Sequence, residues 1–344
     1  MGERVGELRV RRGMARAVFL LLIAAGLGWG MPQAHAPVVL AAAEAAVPAL
    51  PGVAAATAAV AASQPAVVMT ESSGPTPEMT ARVGPVEGPP VPPTPPPPGG
   101  FVPVLVYHHF LPEAVAKAYP TSELIVSTED FTAQMRLLAE GGYHTITTAD
   151  LAAWLLRGEP LPSKPVLITF DDGYESQYVY ALPILKTFNL KATVFIITGD
   201  LHEQNPAYSP RVLSALDWHE LKAMADSGLI DVEDHTHAMH NAVKGRGAGL
   251  SLSDQAVLDD LALSKRILST RLDRSAPVAF AYPRGDYDAR YIDLVKKSGF
   301  QLAFSVAGGP VREGANPFTL HRIGVFRHHW LGTFRKMVDG QYNL

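Results

Sequence analysis

The chain of 344 residues contains no cysteine. Disulfides, thiolate nucleophiles and cysteine-ligated metal sites are therefore excluded. It also has no marked excess of either charge. Its 29 Lys and Arg residues stand against 33 Asp and Glu, for a net charge of −4. Nucleic-acid binding normally shows a basic stripe, so no nucleic-acid partner is expected. No internal repeat is evident. Small exported domains often need disulfides, but the core available to residues 101–344 is large enough to fold without them. The missing cysteines are thus compatible with export.

What the N-terminus does contain points the same way. Arg9, Arg11, Arg12 and Arg16 precede the apolar run AVFLLLIAAGLGWGM (17–31). A basic flank followed by a short apolar run is the pattern of an export signal, and it is shorter than the roughly 20 residues of a membrane span. Residues 1–36 are read as a signal peptide or an N-terminal anchor. Cleavage falls after the tripeptide AHA (34–36) or, because Pro37 fits signal peptidase poorly, in the Ala-rich run at 41–46. Residues 37–100 are rich in Ala, Val, Pro, Thr and Ser and end in PPVPPTPPPPGG. Polyproline extends as a stiff spacer, and the Ala-rich part offers few large side chains to a core. This segment is read as a disordered linker that holds a domain away from a membrane or wall.

From Phe101 onward the pattern changes. The runs VPVLVYHH (102–109), HTIT (144–147), VLITF (166–170), ATVFII (192–197), VAFAYP (278–283), LAFSV (302–306) and LHRIGV (320–325) read as strands. Helical periodicity covers 127–143, 148–159, 176–188, 217–229, 253–272 and 288–298. Ser127 and Thr128 are cap candidates for the first of these helices. Asp217 with Glu220 forms a capping-box pattern at the start of the 217–229 helix. Strands alternating with helices mean an α/β fold with a mostly parallel sheet. About seven strands suit a closed or nearly closed (β/α) barrel, with a doubly wound open sheet as the alternative. In either case the active site lies just past the C-terminal strand ends. Asp171, Asp172, His108, His109 and Pro283 stand at such places.

Two clusters carry chemistry. Asp171 and Asp172 sit side by side in VLITFDDGYES (166–176), directly after a buried strand. Adjacent carboxylates repel, so a positive charge that binds one of them is expected. The second cluster, EDHTHAMHN (233–241), holds His235, His237 and His240. Histidine is a favoured zinc ligand, and a carboxylate often completes the site. The pair His235/His240 needs a loop to turn both rings inward, whereas His237/His240 would suit a helix. Spacing alone leaves both open.

The ordered set VPVLVYHHF, TFDDG, KATVFIITGDL, HTHAMH and FAYPRGDYD resembles the polysaccharide deacetylase family, the NodB-homology or carbohydrate esterase family four group. The likeness spans 101–330, within a domain read as 101–344, and is most specific at 166–173 and 234–240. It implies a distorted (β/α) barrel with a divalent metal, zinc or else cobalt or nickel, on Asp172, His235 and His240. It implies that Asp171 is the base for a metal-bound water that removes N-acetyl groups from an amino-sugar polysaccharide. The five-residue histidine spacing is that of the subgroup acting on poly-N-acetylglucosamine. O-acetyl hydrolysis on xylan-like glycans and carbohydrate binding with weak catalysis are the alternatives. The backbone N–H of Arg284 corresponds to the oxyanion donor, and His108, Tyr282 and Pro283 to substrate contacts. His321 is the nearest match to the general acid, with His108, His109 and His237 as rivals. The family's usual arginine that orients the base is replaced by Ala281, and the Arg284 side chain is one candidate to take its place. The product would act outside the membrane, attached there or to the wall through its N-terminus.

Overall fold

The structure, a computed structural model, describes residues 100–243 and 245–342. The expected signal or anchor segment and residues 37–99 of the expected linker lie outside the described residues. Seven strands form the main sheet: β1 (Val104–Tyr107), β2 (Pro165–Phe170), β3 (Ala192–Ile196), β4 (Ile230–Asp234), β5 (Ala279–Ala281), β6 (Leu302–Phe304) and β7 (Ile323–Gly324). Their spatial order is β6-β5-β4-β3-β2-β1-β7, and every neighbouring pair is parallel. The short strand His144–Thr145 flanks β2 off this path. The sheet curls until its edges meet through one parallel bridge, between Phe304 of β6 and Leu320 just ahead of β7. The barrel expected from the sequence is therefore present, joined at that edge by a bridge where a full ladder would otherwise run.

Most of these strands follow from composition. Those reading VLVY, PVLITF and ATVFI are apolar and rich in β-branched residues, as suits parallel strands covered on both faces. β4 is different. Its sequence, Ile-Asp-Val-Glu-Asp, carries three carboxylates, and the sequence reading did not mark it as a strand. Local bonding makes it tolerable. The buried Glu233 carboxylate accepts hydrogen bonds from the N–H groups of Val278 and Ala279 (2.9 and 2.8 Å) and from the Thr148 hydroxyl (2.7 Å). Burial pushes this carboxyl up to about 8. Glu233 thus ties β4 to the start of β5.

The helices show the caps read from the sequence. The Ser127 hydroxyl accepts from the Asp130 N–H ahead of Thr128–Glu140. Asp217 and Glu220 cap Trp218–Asp226 reciprocally. Trp218 is buried in the core at the first turn of that helix. The helix expected over 176–188 begins instead as a π turn, Gln177–Ala181, before the α-helix Leu182–Phe188. Such turns recur at functional sites. Here the turn aims the Gln177 amide at the carbonyls of His108 (2.9 Å) and Asp171 (2.7 Å), joining the C-terminal ends of β1 and β2. A last helix, Leu331–Val338, was not expected; it buries Phe334, Met337 and Val338.

An aromatic group lies under the site. Phe170 packs edge-on against Tyr107, Phe110 and Phe131, with centroids 6.0, 5.2 and 6.0 Å away. Phe170→Ala removes a fully buried ring at the strand end that carries both aspartates. It is expected to cost about 3–5 kcal/mol of unfolding free energy, measured by denaturant titration.

Candidate active site and metal-binding centre

Asp171 is the first residue beyond β2, and its N–H donates to the Tyr107 carbonyl (3.0 Å). The residue is 3 % exposed. Both oxygens are taken by one guanidinium: Arg322 Nη1 donates to Oδ1 and Nη2 to Oδ2, each at 2.7 Å. Arg322 Nε donates to the Ser305 carbonyl (2.9 Å), and its side chain is wholly buried. Burial alone would raise the Asp171 pKa, but the Arg322 charge and hydrogen bonds outweigh it and hold the carboxyl below its ordinary value.

The sequence reading had placed chemistry one residue away. In the segment leading into β7, side chains alternate: Leu320 is buried, His321 exposed and Arg322 buried. His321, the expected general acid, faces outward with Nδ1 3.1 Å from the Gly308 carbonyl. Arg284, whose side chain was a candidate partner for Asp171, is exposed in the turn Pro283–Gly285 with φ of 62°. The arginine that orients Asp171 comes instead from the last strand. No alternation in LHRIGV points to it: Leu320 shares its face, whereas Ile323 and Val325, also buried, share that of His321.

Asp172 turns the other way. It has φ of 70° and Gly173 has φ of 71°. Two successive left-handed residues, a conformation Asp and Gly tolerate better than most, swing neighbouring carboxylates apart. Asp172 Oδ1 lies 3.4 Å from His235 Nε2 and 3.2 Å from His240 Nε2. One ligand atom from each residue lies within 4.8 Å of the others. His235 Nδ1 is 2.7 Å from the Ala281 carbonyl. A carbonyl only accepts, so Nδ1 carries the proton and Nε2 offers its lone pair. The buried Asp172 Oδ1 has no hydrogen-bond partner of its own. A carboxylate and two imidazoles converging on an unsatisfied acceptor suit a divalent cation such as zinc, cobalt or nickel.

The remaining candidates divide clearly. His108, half-buried at the end of β1, lies in the field of Asp171, Asp172, Arg322 and His235. Burial lowers its pKa and outweighs the raising effect of the two carboxylates. His109 points into the core, 2.7 Å from Ser176 Oγ, and burial pushes it down to about 4. His237 meets the Thr198 hydroxyl (3.0 Å), outside the Asp172 group. Tyr282, expected to contact substrate, is fully buried; its hydroxyl donates to the Phe318 carbonyl and its ring packs against Phe280, Tyr287 and Tyr291. It is a core residue, held in that aromatic cluster just past the end of β5. Pro283 is buried beside it. Tyr174, not singled out from the sequence, approaches Asp172; burial and then that carboxylate's charge raise its hydroxyl pKa.

Removing one partner of a buried ion pair leaves an uncompensated charge, so Arg322→Met is expected to lose about 3–5 kcal/mol of stability at pH 7. Asp171 has a lowered folded pKa. The stability it gains from the pair is present above its ordinary pKa and is lost as pH falls through the lowered value. The gap between parent and variant should therefore narrow in acid, as read by urea unfolding across pH.

A family model described as polysaccharide deacetylase matches residues 158–303. The chain is 32 % identical over 199 residues to a poly-beta-1,6-N-acetyl-D-glucosamine N-deacetylase of Staphylococcus aureus (strain MRSA252), covering 58 % of this chain and 67 % of that one. Its fold matches that of the Streptococcus pyogenes deacetylase PplD, solved with acetate, at a TM-score of 0.61 and 24 % identity, over 71 % of this chain and all of that one. It also matches IcaB from Ammonifex degensii at a TM-score of 0.58 and 26 % identity, over 70 % and 97 % of the two chains. With the paired aspartates and the two histidines inside the matched segment, the chain belongs to the polysaccharide deacetylase family.

Proposed function

We propose that this chain is an exported, metal-dependent hydrolase that removes N-acetyl groups from poly-N-acetylglucosamine or a closely similar amino-sugar polymer. The observation that carries this reading is the divergence of two adjacent carboxylates, Asp171 onto a buried arginine and Asp172 onto two imidazoles. The substrate class is supported by the staphylococcal relative, whose name gives that polymer. Export, and attachment to membrane or wall, rest on the basic and apolar residues of 1–36 and the linker after them.

The residues divide the work. Asp172, His235 and His240 would hold the cation. When bound, it supplies Lewis-acid charge that polarises the acetyl carbonyl and lowers the pKa of the attacking water. Asp171 stays ionised because Arg322 neutralises it. Arg322 uses one acceptor site on each Asp171 oxygen and leaves others free to take a proton from water. The departing amine needs a proton, and His108 is the imidazole placed near both aspartates to deliver it. The Arg284 main-chain N–H, in its left-handed turn, serves as donor to the developing oxyanion, a contact whose loss costs about 2.7–4 kcal/mol in comparable sites.

Acetate release from poly-N-acetylglucosamine, peptidoglycan and chitin-like polymers, with acetylated xylan beside them, tests the reading. Release from the first is expected, lost with chelator and restored by zinc, cobalt or nickel. Release from xylan alone would replace N- by O-deacetylation. Saccharide binding without acetate release by metal-loaded protein would make this a binding protein.

Asp171→Asn and His108→Ala should each lower turnover by about 10²–10⁴-fold while metal content is kept. Asp172→Ala, His235→Ala and His240→Ala should lose metal and turnover together. Metal analysis alongside initial rates separates the two classes.

A further inference from the structure

His235 and His240 are joined by Thr236, His237, Ala238 and Met239, and each backbone N–H of this link is taken by a side-chain oxygen. The Thr236 N–H donates to Asp234 Oδ1 (2.7 Å). Those of His237 and Ala238 donate to Asp260 Oδ1 and Oδ2 (2.8 Å each). The Met239 N–H donates to Thr236 Oγ1 (3.2 Å). From the other side, the Thr198 and Gly199 N–H groups donate to the carbonyls of Thr236 and His237 (3.0 and 3.1 Å). A Cβ on Gly199 would sit 2.3 Å from the His237 carbonyl oxygen, so glycine is needed for this approach. Thr236 has φ of 80°, which a β-branched residue rarely adopts. A link of this shape does not hold itself; its neighbours hold it.

Of those neighbours, Asp260 alone grips two successive N–H groups, and it comes from a distant element. It lies on the helix Asp254–Leu272, whose inward residues include Val257, Leu261 and Ser264. Met239 shares a buried cluster with Val257 and Leu261, so the side chain next to His240 belongs to the same core as the helix that carries Asp260. One turn further on, Ser264 Oγ accepts from the Thr198 hydroxyl (3.2 Å), which also meets His237.

We propose that Asp260 is a positioning residue for the cation site: by holding the N–H groups of His237 and Ala238 it fixes where His240 presents Nε2 to Asp172. The inference rests on the metal reading above. It explains how a five-residue spacing, which fits neither a helix face nor a strand face, brings two imidazoles to one carboxylate. Two oxygens of one short side chain are required. Asparagine keeps one acceptor but sets an NH₂ against the second N–H.

The test is equilibrium zinc binding by the whole chain, in competition with a chromophoric chelator, with the cobalt absorption spectrum as a second readout. Asp260→Asn should weaken zinc binding by about 10–100-fold, the usual effect of losing a contact behind a ligand, and alter the cobalt d–d bands. The circular dichroism of its metal-free form should match the parent. The neighbouring exposed Asp259→Asn should bind as the parent does. Asp260→Glu keeps both oxygens one methylene too far out; it should fall between parent and Asp260→Asn, and it decides the matter if Asp260→Asn does not fold. Affinity and spectrum unchanged in folded Asp260 variants would overturn the positioning role while leaving the metal site standing. A parent protein that binds neither zinc nor cobalt would overturn both.

Discussion

The buried pair of Arg322 and Asp171 is the constraint on which the site is built. Taking two full charges out of water is costly, and only good geometry with further hydrogen bonds offsets it. Here the geometry is bidentate at 2.7 Å on both arms, and the third guanidinium contact goes to the Ser305 carbonyl. These three contacts link the end of β2, the residue after β6 and the approach to β7. They lie beside the Phe304–Leu320 bridge where the sheet edges meet. Fold closure and ionisation of the expected base are thus two consequences of one contact.

That pair also settles how neighbouring carboxylates coexist. Were Asp171 and Asp172 to point the same way, burial and mutual repulsion would favour protonating one of them. Arginine compensates the first. The left-handed backbone at Asp172 and Gly173 sends the second toward two imidazoles, which favour its ionised form. The carbonyl of Ala281 contributes to the second arrangement by fixing the His235 ring. The position where the family usually has an arginine therefore serves through its main chain, and the missing guanidinium is supplied from the opposite end of the sheet path.

Legibility in the sequence followed the kind of signal each residue gave. Asp171 and Asp172 stood out because they follow an apolar strand, His235 and His240 because three histidines cluster in six residues, and the structure brings Asp172 to both of these histidines. The parallel α/β architecture was legible from alternating periodicities. β4 was not, because its three carboxyl groups hide a strand, and the partners that accommodate Glu233, Thr148, Val278 and Ala279, are far away in sequence. Arg322 was not legible, because the apolar residues around it, Leu320, Ile323 and Val325, do not fall on one strand face. In a strand as short as Ile323–Gly324, a one-residue shift in phase exchanges inward and outward side chains. Tyr282 gave no signal of its burial, because the rings that enclose it, Phe280, Tyr287 and Tyr291, are assembled by the fold.

The family model covers 158–303, which holds the three prospective ligands and Asp171 but neither His108 nor Arg322. Those two come from β1 and the approach to β7, which pair with each other through Leu105–Ile323 and Val106–Gly324. The cation and proton roles proposed above therefore draw on different parts of the chain. Asp172 and His235 follow the central strands β2 and β4, while His108 follows β1 and Arg322, bound to Asp171, precedes β7. Because β1 lies between β2 and β7, the arginine ahead of β7 reaches Asp171 across the end of the first strand. The order of strands in the sheet, as much as the identity of any ligand, makes the two aspartates chemically different.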